Sequence, residues 1–339
     1  MDSICIYPPQ SGLGGPASFS GRLAAELGVR GITVQPDPLA PGCAAVLVIG
    51  GSKRLDRLWQ ARRGGVRIVQ RLNGMNWLHR RVNTGIRHYL RSEVNNWILA
   101  TIRSRLAERI VYQSWFSQEW WGKAYGGPVK AAGRVIYNGV NLEAYSPQGS
   151  GDRPGDTYRL LLVEGHLAGG YATGLHNAVA LLAELGKDGE RPWELVVAGD
   201  APPALRASVE ASHPGLWITW AGVVSRQEIP ALDRSAHVLF SGDLNAACPN
   251  AVIEALSCGL PVAAYATGAL PEMVSGDAGC VVPYGGDPWK LEPPATGALA
   301  AAVAQITRQQ EKYRPGARAR AETQFNIETV VQQYIEVLF

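Results

Sequence analysis

Apolar residues fall in short runs, and the segments between them carry hydrophobic positions at helical spacing. Residues 4–7 (ICIY), 32–35 (ITVQ), 44–50 (AAVLVIG), 66–70 (VRIVQ) and 108–114 (ERIVYQS) read as buried strands. Between 16 and 29, Phe19, Leu23, Ala24 and Leu27 mark a helix, and Arg/Trp-rich stretches that look helical separate the later strands. The strand at 108–114 runs into a helix at Ser114, and VIYNGV (135–140) closes the first half. Residues 146–156 (SPQGSGDRPGD) hold only polar residues, Gly and Pro, and read as a linker. The alternation then restarts, with strand-like runs at 158–165, 193–200, 216–222, 237–242, 261–268 and 279–284. Helices are predicted near 174–186, 203–212, 226–235, 250–258 and 298–310, the third opened by a capping box of Ser225 and Glu228. The last segment places Ile327, Val330, Val331, Tyr334, Ile335 and Leu338 on one helix face. The pattern predicts two α/β lobes, each a Rossmann-like doubly wound sheet with ligand loops at the carboxyl ends of its strands.

Length agrees with that division, since 339 residues make two domains of ordinary size. Hydrophobic residues at 46% and charged residues at 18% leave ample material for two cores. Charge changes the picture more. Residues 1–150 hold 19 Lys/Arg against 8 Asp/Glu, a net +11, whereas 151–339 hold 13 against 21, a net −8. Most of the excess lies between Lys53 and Arg109, so the first lobe is expected to meet something anionic. Trp77, Tyr89 and Trp97 lie among Arg80, Arg81, Arg87 and Arg91, a mixture suited to an anionic membrane interface or to the solvated face of a helix. No nucleic-acid motif accompanies the charge. The five cysteines form no CxxC pair and read as small residues of a reduced core. Neither a signal peptide nor a run near the roughly 20 apolar residues of a membrane span is visible, and the expected location is the cytoplasm, with peripheral membrane association.

Two segments carry candidate chemistry. Residues 12–17 (GLGGPA) join a strand to a helix, and such glycines let backbone approach an anion at a helix N-terminus. Read as GxGxxA, with Asp37 where a ribose-binding acid would stand, the loop also fits a dinucleotide fingerprint or a plain tight turn. Residues 243–274 (DLNAACPNAVIEALSCGLPVAAYATGALPEMV) hold two adjacent strand-to-helix junctions. Glu254 lies on the first helix; Gly268, Ala269 and Leu270 follow the second strand, offering free backbone N–H groups beside Glu272. Such a pair of junctions suits a pyrophosphate with neighbouring hydroxyls; the bland alternative is that Glu254 complements its helix dipole. No DxD, no GxxxxGK[ST] and no histidine cluster with metal-ligand spacing occurs, so neither a metal-bridged diphosphate nor NTP hydrolysis is expected.

The run PNAVIEALSCGLPV…TGALPEMV resembles the donor-site signature of the retaining, family-4-like GT-B glycosyltransferases. GGPASFSGRLAAEL, VYQSWFS, VIYNGVNLEAYSP, LLVEGHL and AGVVSRQEIPALDRSAHVLF are similar to other parts of the same pattern, in order. The resemblance implies two facing Rossmann-like domains, 1–148 on the acceptor side and 157–322 holding the nucleotide-sugar, with a terminal helix at 323–339 crossing back to the first. It further implies that Glu254 hydrogen-bonds the donor ribose, with Asn250 on the same helix. The amides of 268–270 would meet pyrophosphate and sugar beside Glu272, and residues 222–224, including Val224, would line the nucleobase. Gly14 and Gly15 would close over the donor, and Arg71 and Asn73 would face acceptor or sugar.

Two departures matter. The family places an acid eight residues before the ribose glutamate, where this chain has Ala246. It also places Arg and Lys after the first strand of the second lobe, where this chain has His166 and, near the lysine position, Thr173. The expected activity is retaining transfer from a nucleotide diphosphate-sugar with no cofactor or metal, slowed by the missing acid. The alternatives are an impaired paralogue that binds without turnover and, on GxGxxA and Asp37 alone, an NAD-dependent oxidoreductase. If Asn245 or Asp243 does not serve the sugar instead, Ala246→Glu should raise turnover.

Overall fold

The computed structural model describes residues 3–10, 12, 14–126, 129–167, 172–187 and 191–339. The chain divides into two units, one of Met1–Gly139 with Asn326–Phe339, the other of Val140–Phe325.

The first unit runs β1 (Ser3–Tyr7), α1 (Gly15–Val29), β2 (Thr33–Gln35), β3 (Cys43–Ile49), α2 (Leu55–Arg63), β4 (Arg67–Leu72), α3 (Ile86–Thr101), β5 (Arg109–Tyr112), α4 (Trp115–Ala124) and β6 (Ala132–Val135). Its sheet has the order β2-β1-β3-β4-β5-β6, every pairing parallel. Apolar side chains fill both faces, as parallel sheets require. Ile4, Ile6, Ala45, Leu47, Ile49 and Val69 face Phe19, Leu23 and Leu27 of α1. Cys5, Tyr7, Val46, Val48 and Ile68 point the other way, against Leu58, Ala61, Ile98 and Ile102. Ser114 caps α4 by accepting the Ser117 N–H at 3.0 Å.

The second unit runs β7 (Tyr158–His166), α5 (Ala172–Leu185), β8 (Trp193–Asp200), α6 (Pro203–Ser212), β9 (Trp217–Gly222), α7 (Ile229–Arg234), β10 (Val238–Ser241), α8 (Asn250–Ser257), β11 (Val262–Tyr265), α9 (Leu270–Met273), β12 (Gly279–Val282), α10 (Thr296–Arg308) and α11 (Gln310–Gln324). Its parallel order is β12-β11-β10-β7-β8-β9. The chain starts at the middle, winds out to one edge, and returns to wind out to the other. Order reverses between β7 and β10, and the crevice beyond their carboxyl ends is where such sheets bind ligands.

A last helix, α12 (Ile327–Leu338), completes the first unit. Asn326 caps it by accepting the Glu328 N–H at 3.0 Å. Ile327, Val330, Val331, Tyr334, Val337 and Leu338 join the α1 face of the core, with the Tyr334 ring 5.3 Å from that of Phe19. Burial of each large side chain stabilises the unit by roughly 1.5–3 kcal/mol. Gly139 lets the helix in, because a Cβ there would lie 2.9 Å from the Ile327 Cα.

Three local readings need correction. The first sheet's last strand is β6, which ends at Val135, where the predicted closing segment 135–140 begins. Residues 310–324 form α11, which hydrophobic periodicity misses because only Tyr313, Ala317 and Ala321 are buried. Arginines dock this helix instead: one Arg318 nitrogen donates to the Leu142, Tyr145 and Ser257 carbonyls, and Arg314 to that of Ala236. The capping box is only half made, since the Ser225 N–H and hydroxyl both donate to the Glu228 carboxylate and α7 begins one residue later.

Candidate functional site

In the second unit, most of the candidate donor residues line up along the carboxyl ends of β7, β10 and β11. The loop after β10 carries Asn245 in the left-handed region, at φ 56°, a conformation that Asn tolerates better than most residues. The loop after β11 carries Gly268 at φ 57°. The two loops join backbone to backbone, with the Ala269 N–H donating to the Ala246 carbonyl at 2.8 Å. A Cβ at Gly268 would sit 2.5 Å from that same oxygen, so only glycine fits. This contact overturns part of the sequence reading. The Ala269 amide is committed to Ala246 and the Leu270 amide to the Thr267 carbonyl at 3.2 Å, so neither is a free donor for a diphosphate. Ala246 is itself 6% exposed, sealed by the loop it holds.

Beside the junction, Asn245 Nδ2 and Thr267 Oγ1 are buried without a hydrogen-bond partner among the described residues. Buried polar atoms are nearly always satisfied, so a pair of orphans where two ligand loops meet marks a place that water or ligand completes. Pro249, the N-cap of α8, brings no capping side chain to the first turn, whose N–H groups are of the kind that receive anions. Asn250 is its first residue and Glu254, buried, lies one turn in. Because Glu254 stands beyond the first turn, the dipole explanation for it is weakened. Glu272 lies on α9, where its carbonyl accepts from Arg320 at 2.6 Å.

His166, at the end of β7, is exposed, with Nδ1 3.1 Å from the Asp200 carboxylate. Thr173 lies in the first turn of α5. The next residue, Gly174, meets the end of β10, where a Cβ would approach the Gly242 carbonyl oxygen at 2.9 Å. Sequence reasoning missed Glu164. It sits in β7, next to β10 and the Asp243 that follows, so the switch point holds two neighbouring carboxyls. Burial and the charge of Asp243 hold Glu164 well above the usual carboxylate range, and burial pushes Asp243 up to about 6. Glu164 is half-buried and Asp243 exposed at the surface, so solvent screens both shifts, most of all that of Asp243, without changing their direction. The signal was legible as an acid at the end of an otherwise apolar strand. Val224 belongs to the loop after β9, the edge strand, partly exposed beside the more open Val223.

In the first unit, Gly14 and Gly15 lie exposed at the N-terminus of α1, past β1 and at that sheet's own switch point. Leu13, between Gly12 and Gly14, lies outside the described residues. Arg71 and Asn73 close β4, but Arg71 is 1% exposed. Its guanidinium lies 3.8 Å over the Phe19 ring and donates to Asn73 Oδ1 at 2.7 Å and Asn138 Oδ1 at 2.6 Å. Asn73 Oδ1 also accepts from Gln113 at 2.6 Å, and its carbonyl from the Trp121 indole at 2.9 Å. Arg71 therefore braces the loop that presents Asn73; it does not itself face solvent. Asp37 pairs with Arg57 at 2.8 Å and accepts the Leu39 N–H at 2.9 Å, so the acid of the dinucleotide reading is engaged within the protein. Among the described residues no grouping of three or more His, Cys, Asp or Glu could hold a metal ion.

Two parallel six-stranded sheets, each with its loops at a switch point, define a two-domain Rossmann-like protein of the GT-B class. Residues 160–308, all within the second unit, match the family described as glycosyl transferases group 1. Over 148 residues the chain is 32% identical to the GDP-mannose-dependent alpha-(1-6)-phosphatidylinositol dimannoside mannosyltransferase of Mycobacterium tuberculosis, covering 43% of this chain and 35% of that one. The match thus spans about a third of that relative's length. Among solved structures, the sucrose-phosphate synthase of Thermosynechococcus elongatus superposes with a TM-score of 0.78 at 17% identity, over 99% of this chain and 98% of that one. Anabaena HepE, solved with UDP and glucose, does so at 0.70 and 17% identity, over 100% and 99%. At these identities the structures speak to the fold alone.

Proposed function

We propose that this chain is a glycosyltransferase that moves a sugar from a nucleoside diphosphate-sugar to an acceptor hydroxyl, with retention of anomeric configuration and without a metal. The observation that carries the reading is the double junction after β10 and β11. It combines an α8 with Pro249 as its N-cap and Glu254 one turn in, a zipped Ala246–Ala269 contact and two buried orphan polar atoms, all inside the segment that matches the group 1 family. A bond forms between the acceptor oxygen and the anomeric carbon. The bond to the diphosphate breaks, its electron pair leaves with the diphosphate, and the acceptor proton passes to that leaving group. Glu254 holds ribose hydroxyls, and the amides of the first turn of α8 and of Gly268 meet the diphosphate. His166, beside the Asp200 carboxylate at the end of β7, stands at the position where the family has its arginine. Retention rests on the family resemblance, and the basic first unit favours an anionic or lipid-linked acceptor.

The rival reading, nucleotide binding without turnover, is favoured by Ala246 and by the absence of the arginine and lysine that offset the leaving charge in the family. Thermal shift with UDP, GDP and their hexose conjugates, with and without EDTA, tests the donor site. A ligand at 100 times its Kd should add about 2.7 kcal/mol, unchanged by EDTA. Glu254→Gln should lose much of this, because hydrogen bonds to a charged acceptor contribute roughly 1.5–3 kcal/mol each. No shift with any nucleotide ends the donor assignment. A shift without release of nucleoside diphosphate from any conjugate selects the rival.

A further inference from the structure

We propose that the outward face of α3 seats the first unit on a membrane surface that bears anionic lipid headgroups. Helices of folded proteins turn their apolar face inward, and α3 does much of the reverse. Ser92 and Asn96 are buried together with Ile98 and Leu99. Asn96 is tied down by the backbone of Asn76, whose N–H it accepts at 3.0 Å and whose carbonyl it donates to at 2.8 Å. On the opposite side Ile86, Leu90, Val94 and Trp97 are 77%, 58%, 51% and 60% exposed. Their spacing of four, four and three residues puts them on one narrow stripe, about 16 Å long at 1.5 Å per residue. Singly exposed apolar residues need no explanation, but four large ones in line on a single helix do.

What surrounds the stripe selects the occupant. Arg87 and Arg91 follow Ile86 and Leu90 along one flank, both exposed, and neither is ion-paired among the described residues. On the other flank Arg80 is neutralised by Glu93 through two hydrogen bonds of 2.6 and 2.8 Å, and Arg81 is exposed. An apolar stripe bordered by free guanidinium groups, in a unit of strong positive charge, matches acyl chains beneath anionic headgroups. The aromatic residues that the sequence singles out are not equivalent here. Trp77 is only partly exposed and Tyr89 turns its ring edge-on to His79 at 5.1 Å, whereas Trp97 stands free in the stripe. No helix among the described residues is long and apolar enough to cross a membrane, so α3 would lie in the interface plane. This proposal is independent of the donor site and survives if that assignment fails.

The test is co-sedimentation of the full chain with phosphatidylcholine vesicles, with and without phosphatidylglycerol, at low and high salt. Binding is expected only to the anionic vesicles and should weaken with salt. Arg87→Gln and Arg91→Gln should each weaken it about fivefold, and the double variant Leu90→Ser/Trp97→Ser should abolish it with an unchanged melting curve, since both positions are exposed. On binding, the tryptophan emission of the wild type but not of Trp97→Phe should move to the blue. Nucleotide-induced thermal shift, measured in parallel, should be the same in all of these variants. No sedimentation with either vesicle overturns the proposal, as does equal binding by wild type and the double variant. Sedimentation velocity showing a wild-type dimer and a monomeric double variant would assign the face to a second copy of the chain. If the double variant does not fold, the arginine variants and the salt dependence still decide.

Discussion

Ala246 stands where the resembling family has an acid, and its surroundings decide what restoring that acid would do. It is 6% exposed, its carbonyl is held by Ala269, and Asp243 nearby already resists ionisation. A glutamate there would overpack the junction and add a second negative charge to a crowded site, at a cost of roughly 1–3 kcal/mol for the packing alone. We therefore expect Ala246→Glu to lower Tm by several degrees without raising turnover, while Ala246→Ser stays near the wild type. Equal Tm with faster release of nucleoside diphosphate would show that the loop opens to admit the side chain. His237 gives an independent residue-scale test. Burial first, then Arg153, Arg314 and other arginines, push its imidazole down to about 4, and its Nδ1 accepts the Arg159 N–H at 3.0 Å. The unfolded chain binds the proton near 6.5, so this contribution is complete above pH 6.5 and is lost as pH falls toward 4. The loss is about 3 kcal/mol. Asp243 acts with the opposite sign: its folded carboxyl takes up its proton near 6, before the unfolded one, so it relieves strain as pH falls. The informative quantity is therefore the difference between wild type and His237→Asn, whose amide oxygen can replace Nδ1. Relative to the variant, the wild type should lose about 3 kcal/mol of denaturant stability as pH is lowered from 7 to 4. Parallel curves would mean that His237 is not held neutral.

Among elements, those that bury an apolar face were legible and those held by polar contacts were not. Apart from β6, the strands from Ser3 to Val282 and the helices α1, α5, α6, α10 and α12 lie within a few residues of where periodicity puts them, because a parallel sheet buried on both faces writes its core directly into the chain. In α11 the docking groups are arginines that reach backbone carbonyls, a pattern no hydrophobic period reveals. The outward stripe of α3 was hidden for the converse reason. Ile86, Leu90, Val94 and Trp97 have the period of an ordinary core-facing helix, and only the fold shows that they face solvent. The junction between the loops after β10 and β11, the candidate donor site, was half legible as structure. Glycine, proline and glutamate located it, but which amides remain free depends on the pairing of loops more than 20 residues apart, as between Ala246 and Ala269. Arg71 is similar: a basic residue at a strand end looked presented to a substrate, and only the Phe19 ring and Asn138 show it braced inside.

At the scale of the whole molecule, the break in sequence and the break in structure do not coincide with the chain's end. The second unit closes at Phe325, and the last 14 residues return to the first. Each unit owns a core: Leu160, Leu162, Leu195, Val238 and Phe240 in the second, and Ile4, Leu47, Val69 and Val331 in the first. The candidate donor groups Asn245, Asn250, Glu254, Gly268 and Glu272 all lie in the second. Two deletions should therefore behave oppositely. A fragment of residues 140–325 is expected to fold and to be stabilised by the same nucleoside diphosphate as the full chain. A chain ending at 325 loses Val330, Val331, Tyr334 and Leu338 from the first core, and large-to-small loss at even one such site costs 2–5 kcal/mol. Its first unit should unfold, exposing Phe19 and Leu23, while its second unit keeps the nucleotide-dependent melt. Calorimetry with and without nucleotide separates the outcomes. A fragment 140–325 that folds but does not respond to the nucleotide would mean that first-unit groups such as Gly14 and Gly15 carry the donor, and would move the site away from Glu254.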